Sequence, residues 1–209
     1  MQDTILVLDA MGVIYRRGAA VDDLLIPFIL EHGGTKDIEA INRIYTAASL
    51  GKISRQKFWS EVGLDIDLED DYLTKYHLSD GLLKFLAVAN DRFQNIICLS
   101  NDVSGWSRKL RTRFGIGHLI DSWIVSGDVG HRKPSPEIYQ ILLKQSAVGP
   151  ERILFVDDRA INLDAAARCG MGTILFDLER GEGGAVDDLN GDHPVCFDFA
   201  GLLRHPLNN

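Results

Sequence analysis

The hydrophobic positions of this chain change their period twice. From Ile5 to Leu8 they are consecutive, and the run stops at Asp9, with Ala10, Met11 and Gly12 before a second apolar pair, Val13-Ile14. A short unbroken apolar run bounded by a polar break and a glycine predicts a strand buried on both faces, as in a parallel sheet. Asp9 then falls at the carboxyl end of that strand, the rim outside which open α/β sheets bind their ligands.

After Ile14 the spacing turns helical and stays so to about residue 79. Asp23 is placed to cap a helix carrying Leu24, Leu25, Phe28 and Ile29, with Pro27 in its first turn and His32-Gly33-Gly34 as its stop. Thr35 opens a second, with Ile38, Ile41, Tyr45 and Ala48 on one face and Gly51 as its end. Ser54 opens a third, with Phe58, Trp59 and Val62 facing inward and Gly63 closing it, and a weaker fourth runs from about Asp70 to Tyr76. Helices in succession with no strand between them predict a small bundle inserted after the first strand.

From Gly81 the pattern alternates. Helices are expected around Leu82 to Ala89, from Ser104 (with Val103, Trp106, Leu110 and Phe114 on one stripe), from Ser135-Pro136 (burying Ile138, Ile141 and Leu142), and after Asp158 (burying Ile161, Ala165, Ala166 and Cys169). Strands are expected at Asn95 to Leu99, Ser122 to Val125, Arg152 to Val156 and Thr173 to Phe176. The loop SGDVGHRKPSP follows the third strand, residues 177 to 193 read as a solvated loop, and a short strand and helix end the chain. The fold class predicted is α/β, a doubly wound parallel sheet with a helical insert: core from residues 1–14 and 80–209, helical bundle from 15–79.

Composition narrows the functions available. With 45% of 209 residues hydrophobic, there is enough for one good core and a smaller companion, and no apolar run approaches the length of a membrane span, so a soluble, cytoplasmic protein with no membrane partner is expected. A net charge of −8 without any Lys/Arg run argues against nucleic acid and leaves small molecules as the partner class. Cys98, Cys169 and Cys196 are odd in number and far apart, which reads as reduced thiols. Arg108, Lys109, Arg111 and Arg113 read as a solvated helix face.

Four polar signals fall at or just beyond strand ends: Asp9, Ser100-Asn101, Lys133 and Asp157-Asp158. Each alone has a plain structural explanation, since Ser100 can begin a turn, Lys133 can be a surface lysine and Asp158 can cap the next helix. On one rim, however, three carboxylates repel unless cations join them, and Mg²⁺ with Lys133 would supply that charge.

The motifs LVLDAMGVI, ICLSND, HRKPSPEIY and LFVDDRAIN, in that order and on those elements, resemble the haloacid dehalogenase superfamily of hydrolases, in its subclass with a helical cap after the first strand. The resemblance implies Asp9 as a nucleophile that forms a covalent aspartyl intermediate. It implies Mg²⁺ held by Asp9, the Met11 carbonyl and Asp157, with Asp158 completing the shell; phosphate oxygens bound by Ser100 and the Asn101 backbone; and Lys133 neutralising the charge that builds up. The helical insert would close over the site and select the substrate, a small phosphorylated metabolite.

The sequence departs from the family's phosphatases at Met11, where they usually carry a second Asp that protonates the leaving group. Carbon–halogen hydrolases of the family also lack that Asp, as does a branch resembling sugar-1-phosphate phosphatases, which the stretch GKISRQKFWSEVGL is similar to. The dehalogenases put neutral side chains in the fourth motif and use no metal, so Asp157-Asp158 favours a Mg²⁺-dependent phosphatase. A metal-independent dehalogenase and a catalytically weak binding protein remain the alternatives. No Gly-x-Ser-x-Gly elbow or Walker loop is present. Among residues near the expected site, Tyr45 and Trp59 read as packing, Arg16 and Arg17 are balanced between anion binding and solvation, and Tyr15 and Arg43 are further candidates for specificity.

Overall fold

A computed structural model describes residues 3–16, 19–178 and 193–204. In chain order the elements are β1 (Ile5–Leu8), α1 (Ile26–Glu31), α2 (Ile38–Ser49), α3 (Arg55–Glu61), α4 (Glu69–Leu73), α5 (Leu82–Ala89), β2 (Asn95–Ser100), α6 (Ser104–Phe114) and β3 (Ser122–Val125). They continue with α7 (Ser126–Val129), α8 (Pro136–Ser146), β4 (Ile153–Asp157), α9 (Ala160–Arg168), β5 (Gly172–Phe176), β6 (Val195–Cys196) and α10 (Phe199–Arg204).

The six strands form one sheet in the order β3-β2-β1-β4-β5-β6, every neighbouring pair parallel. Because side chains alternate along a strand, β1 feeds two cores: Leu6 and Leu8 face one hydrophobic cluster, Ile5 and Val7 the other. The first is covered by α5, α6 and α10 and the second by α8 and α9. The chain order reverses at β1, so the rim above β1 and its neighbours is the crevice where such sheets bind ligands.

The helical stretch between β1 and β2 is not a separate core. Phe28, Phe58, Trp59 and Tyr72 share the first cluster with Trp106 of α6, whose indole meets the Phe58 ring at 5.1 Å, Trp59 at 5.9 Å and Tyr72 at 5.1 Å. Fully buried aromatic groups of this size contribute most of the apolar area at such a junction.

Several local expectations change. Asp23 sits inside the first helical turns, Val21–Leu25, instead of capping them. Asp37 caps α2 by accepting from the Ala40 amide at 2.9 Å, because Thr35 lies two residues too early, and Ile38 is 50% exposed, off the buried face. In α9 the phase is shifted: Ile161 is 53% exposed, while Asn162 and Leu163 are buried. The loop after β3 starts with the helical turn α7. The basic face of α6 is solvent-exposed at Arg108 and Arg113, as expected, and also carries partners: Arg108 pairs with Asp128 at 3.1 Å, Lys109 with Asp70 at 2.6 Å, Arg113 donates to the Leu73 carbonyl at 2.5 Å, and Arg111 covers the Trp123 ring at 4.8 Å. Ser54 does cap α3, Gly170 ends α9 with φ +86°, and the three cysteines are free. Arg17 and most of the expected 177–193 loop lie outside the described residues. No helix among the described residues is long and apolar enough to cross a membrane.

Candidate active site

Asp9 is the first residue past β1, and its amide still joins the sheet by donating to the Val156 carbonyl at 2.9 Å. Its carboxylate is nevertheless buried, 5% exposed, where a charged group needs partners. Lys133 provides one: its Nζ lies 2.7 Å from Asp9 Oδ1 and 2.7 Å from Asp157 Oδ2. Burial opposes the ammonium, yet Asp157 and Asp9 together hold the Lys133 pKa above its ordinary value.

Lys133 arrives from a loop and is aimed by Asn101. The Asn101 side chain accepts from the Lys133 amide at 2.8 Å and donates to the Lys133 carbonyl at 2.8 Å, a two-point clamp across 32 residues of sequence. Tyr45 of α2 donates to the Asn101 carbonyl at 3.2 Å, which ties the helical insert to the same point. Asp157, at the end of β4 and fully buried, is held by Asn162 of α9, whose amide donates to its two oxygens at 3.0 and 3.1 Å, and by the Arg159 amide at 2.9 Å.

Asp158 is the exception to this satisfaction. Its Oδ1 is buried with no hydrogen-bond partner, and one ligand atom each from Asp9, Asp157 and Asp158 lie within 4.8 Å of one another. Gly12, at φ +80°, is required here, because a Cβ would stand 2.4 Å from Asp158 Oδ2. Burial, then Asp157, push the Asp158 pKa up to about 6. Asp9 is raised well above the carboxylate range by burial; Lys133 pulls it back, and Asp157 and Asp158 add to the rise.

Three carboxylates against one ammonium leave a buried excess of negative charge, and the oxygen-only donor set suits a hard divalent cation. The orphaned Asp158 oxygen fits such an ion, since the protein gives it nothing else to bind.

A cavity of about 220 Å³ opens above the cluster, bounded by Asp9, Met11, Asn101, Lys133 and Asp158 from the sheet rim and by Asn42, Tyr45 and Thr46 from α2. Ser100 is buried behind it, 1% exposed, with its hydroxyl unpartnered. The residues expected at strand ends are thus brought together, with Ser100 and Asp157 buried beneath the cavity wall and the others lining it. Tyr45 lines the site as well as packing on Trp106, while Trp59 packs away from the site and donates to Glu69. Arg16 pairs with Asp80 at 2.8 Å on the surface, Arg43 is exposed, and Tyr15 is buried with its hydroxyl unpartnered. Several residues of the site escaped the sequence reading, Asn42 and Thr46 of α2 among them. Asn162 was detectable as an amide on the buried phase of α9, whereas Arg132, in the cavity wall, carries no local signal beyond its place before Lys133.

A model of haloacid dehalogenase-like hydrolases matches residues 5–170, from β1 through α9, and the chain belongs to that family. It is similar to the D-ribitol-5-phosphate phosphatase of Bacteroides thetaiotaomicron, 39% identical over 66 residues, which is 32% of this chain and 31% of that protein. In the curated relatives it matches, the aligned stretch spans less than half of their length. Among solved structures, a HAD family enzyme of the same organism superposes with a TM-score of 0.73 at 17% identity, covering 90% of this chain and 97% of that one. The L-2-haloacid dehalogenase of Xanthobacter autotrophicus superposes with a TM-score of 0.65 at 17% identity, covering 98% of each chain.

Proposed function

We propose that this protein is a Mg²⁺-dependent phosphatase that hydrolyses a small phosphorylated metabolite through a covalent intermediate on Asp9. The observation that carries the reading is the unbalanced acid cluster: a halide-releasing enzyme needs one reactive carboxylate, and the added burial of Asp157 beside a partnerless Asp158 oxygen has no use in it. The same feature supports an enzyme over a weak binding protein. The structural relative from Bacteroides thetaiotaomicron has been solved with magnesium and inorganic phosphate, in the same fold.

Asp9, Asp157, Asp158 and the Met11 carbonyl would hold the cation, which supplies positive charge to the nucleophile and the phosphoryl oxygens. Asp9 attacks phosphorus as the leaving oxygen departs, and water later cleaves the acyl phosphate, returning the carboxylate. Burial raises the Asp9 pKa and Lys133 works against that rise, so the lysine favours the ionised nucleophile and balances charge on the transferring group. The Asn101 backbone amide binds phosphate oxygens, and the buried, partnerless Ser100 hydroxyl is the second candidate donor. Met11 donates no proton, so leaving groups that depart as weak bases are preferred. The helices of residues 15–79 act as the cap that excludes water, and the resemblance of the third to the sugar-1-phosphate branch agrees with a compact, hydroxyl-rich substrate.

The test is turnover of phosphorylated metabolites and short haloacids with EDTA and after restoring Mg²⁺. Phosphate release that stops in chelator and returns with Mg²⁺ is expected. Halide release undiminished by EDTA would instead establish the dehalogenase.

A further inference from the structure

Arg132 and Lys133 are neighbours in sequence that serve different ends of the cavity. Lys133 reaches down to Asp9 and Asp157, whereas the Arg132 guanidinium lies 5.4 Å from the centre of the Tyr45 ring and donates to the Ser49 hydroxyl, both on α2. Asn42, Tyr45, Thr46 and Ser49 are spaced at three and four residues, so they share one face of that helix. Arg132 is half-buried and borders the cavity, and among the described residues no carboxylate lies within ion-pairing distance of it. Asp102 feels the guanidinium only from beyond ion-pairing distance, so stacking and the hydrogen bond fix it without a directly paired carboxylate, which leaves a pre-oriented fork of donors suited to a planar or tetrahedral anion.

The transferring phosphate does not account for that charge, because Lys133 and the acid cluster already surround its place. The rest of the wall is mixed: Asn42 and Thr46 are polar, Ala19, Ala20 and Val21 are apolar, and Asp22 and Arg159 add one charge of each sign, while the one aromatic face, Tyr45, is covered by the Arg132 guanidinium instead of being open to a base or a flavin. A cavity of about 220 Å³ also falls below the roughly 300–1,000 Å³ of pockets for larger ligands.

From this geometry we infer that Arg132 is a specificity residue that binds a second anionic group of the substrate, a carboxylate or a second phosphate, with Asn42 and Thr46 holding hydroxyls between the two ends. The inference rests on the phosphatase reading for its first phosphate. The substrate class is a short, hydroxylated phosphate ester with an acidic tail.

The test compares phosphoglycerate, glycerol 1,3-bisphosphate and glycerol phosphate, three-carbon esters with the same middle hydroxyl that differ in the tail. Binding is measured by calorimetry with Mg²⁺ on the Asp9→Asn protein, so that no turnover is needed, and the phosphatase reading is judged separately by aryl phosphate hydrolysis in the parent protein. At least one acidic ligand should bind about 10- to 100-fold tighter than glycerol phosphate, the range for a charged hydrogen-bonded contact. Whichever acidic ligand wins tells carboxylate from phosphate. Arg132→Ala should remove the preference, Arg132→Lys should keep part of it, and Arg132→Gln serves if the alanine variant does not fold. If neither acidic ligand is preferred, or if Arg132→Ala or Arg132→Gln weakens all three ligands equally, Arg132 grips the transferring phosphate or only seats the helix, and the inference is overturned.

Discussion

Two regions of this protein bury carboxylates, and they treat them in opposite ways. At the junction of the helical insert with α6, Glu69 is 1% exposed and fully served: Trp59 and Trp106 donate to its Oε2 at 3.2 and 2.9 Å, Lys109 lies 2.8 Å from its Oε1, and Arg55 binds the same oxygen. At the sheet rim, Asp9, Asp157 and Asp158 share one ammonium, one oxygen has no partner, and the Asp9 pKa is driven up by burial. The first arrangement is complete and holds two parts of the chain together. The second is incomplete in a way that a bound cation and phosphate would complete, which is how a site prepared for a ligand differs from a structural ion pair.

The largest way to break this contrast is Asp9→Asn. The amide keeps the shape but cannot attack phosphorus, so turnover should be abolished. The metal-free protein should melt no lower than the parent, because the change relieves a repelling cluster. Activity within a few-fold of the parent would end the nucleophile assignment.

Next comes Asn162→Ala, which removes two hydrogen bonds from Asp157 without replacing any proposed ligand. Residues that orient ligands typically contribute about 10- to 100-fold in metal affinity. The Mg²⁺ concentration for half-maximal activity should rise by that order, and an unchanged Mg²⁺ titration would show that Asp157 needs no such support.

Glu69→Ala should act on stability first. Each indole N–H left unpaired costs about 1–3 kcal/mol, so chemical denaturation should shift by an amount of that order for Trp59 and Trp106 together. A Glu69→Ala protein with parental stability would mean that the aromatic packing alone holds the junction.

The smallest effect concerns Asp102, a carboxylate intermediate between the two regions. Its Oδ1 accepts from the Val103 amide at 2.7 Å, its Oδ2 is buried without a partner, and burial pushes its pKa up to about 7. A raised acid pKa means the folded state binds more protons, so stability is highest below the usual 3.8 and falls as pH climbs toward 7. The final part of that fall, from about pH 6 to pH 8, amounts to about 1 kcal/mol. Asp102→Asn should flatten it in melts across that range, and parallel pH profiles for the two proteins would refute the assignment.

What the chain determined by itself is whatever short-range spacing encodes. A buried strand is legible in ILVL because both faces must be apolar, and Asp9 and Asp157-Asp158 stand out because a carboxylate ending such a run has no packing role. The order of elements, and so the rim on which these residues meet, follows from the alternation of strand and helix. Phase was less secure: Ile161 and Ile38 turned out exposed, since a single apolar residue near a helix end weighs little against where the helix lies on the sheet. Only the tertiary structure decided the partnerships. Glu69 meets Trp106 across 37 residues, Asn101 clamps Lys133 across 32, and Tyr45 reaches Asn101 across 56. No local periodicity specifies contacts of that separation, because they depend on how the insert is laid over the sheet, and it is these contacts that aim Lys133, seat α2 and leave Arg132 at the cavity without a directly paired carboxylate.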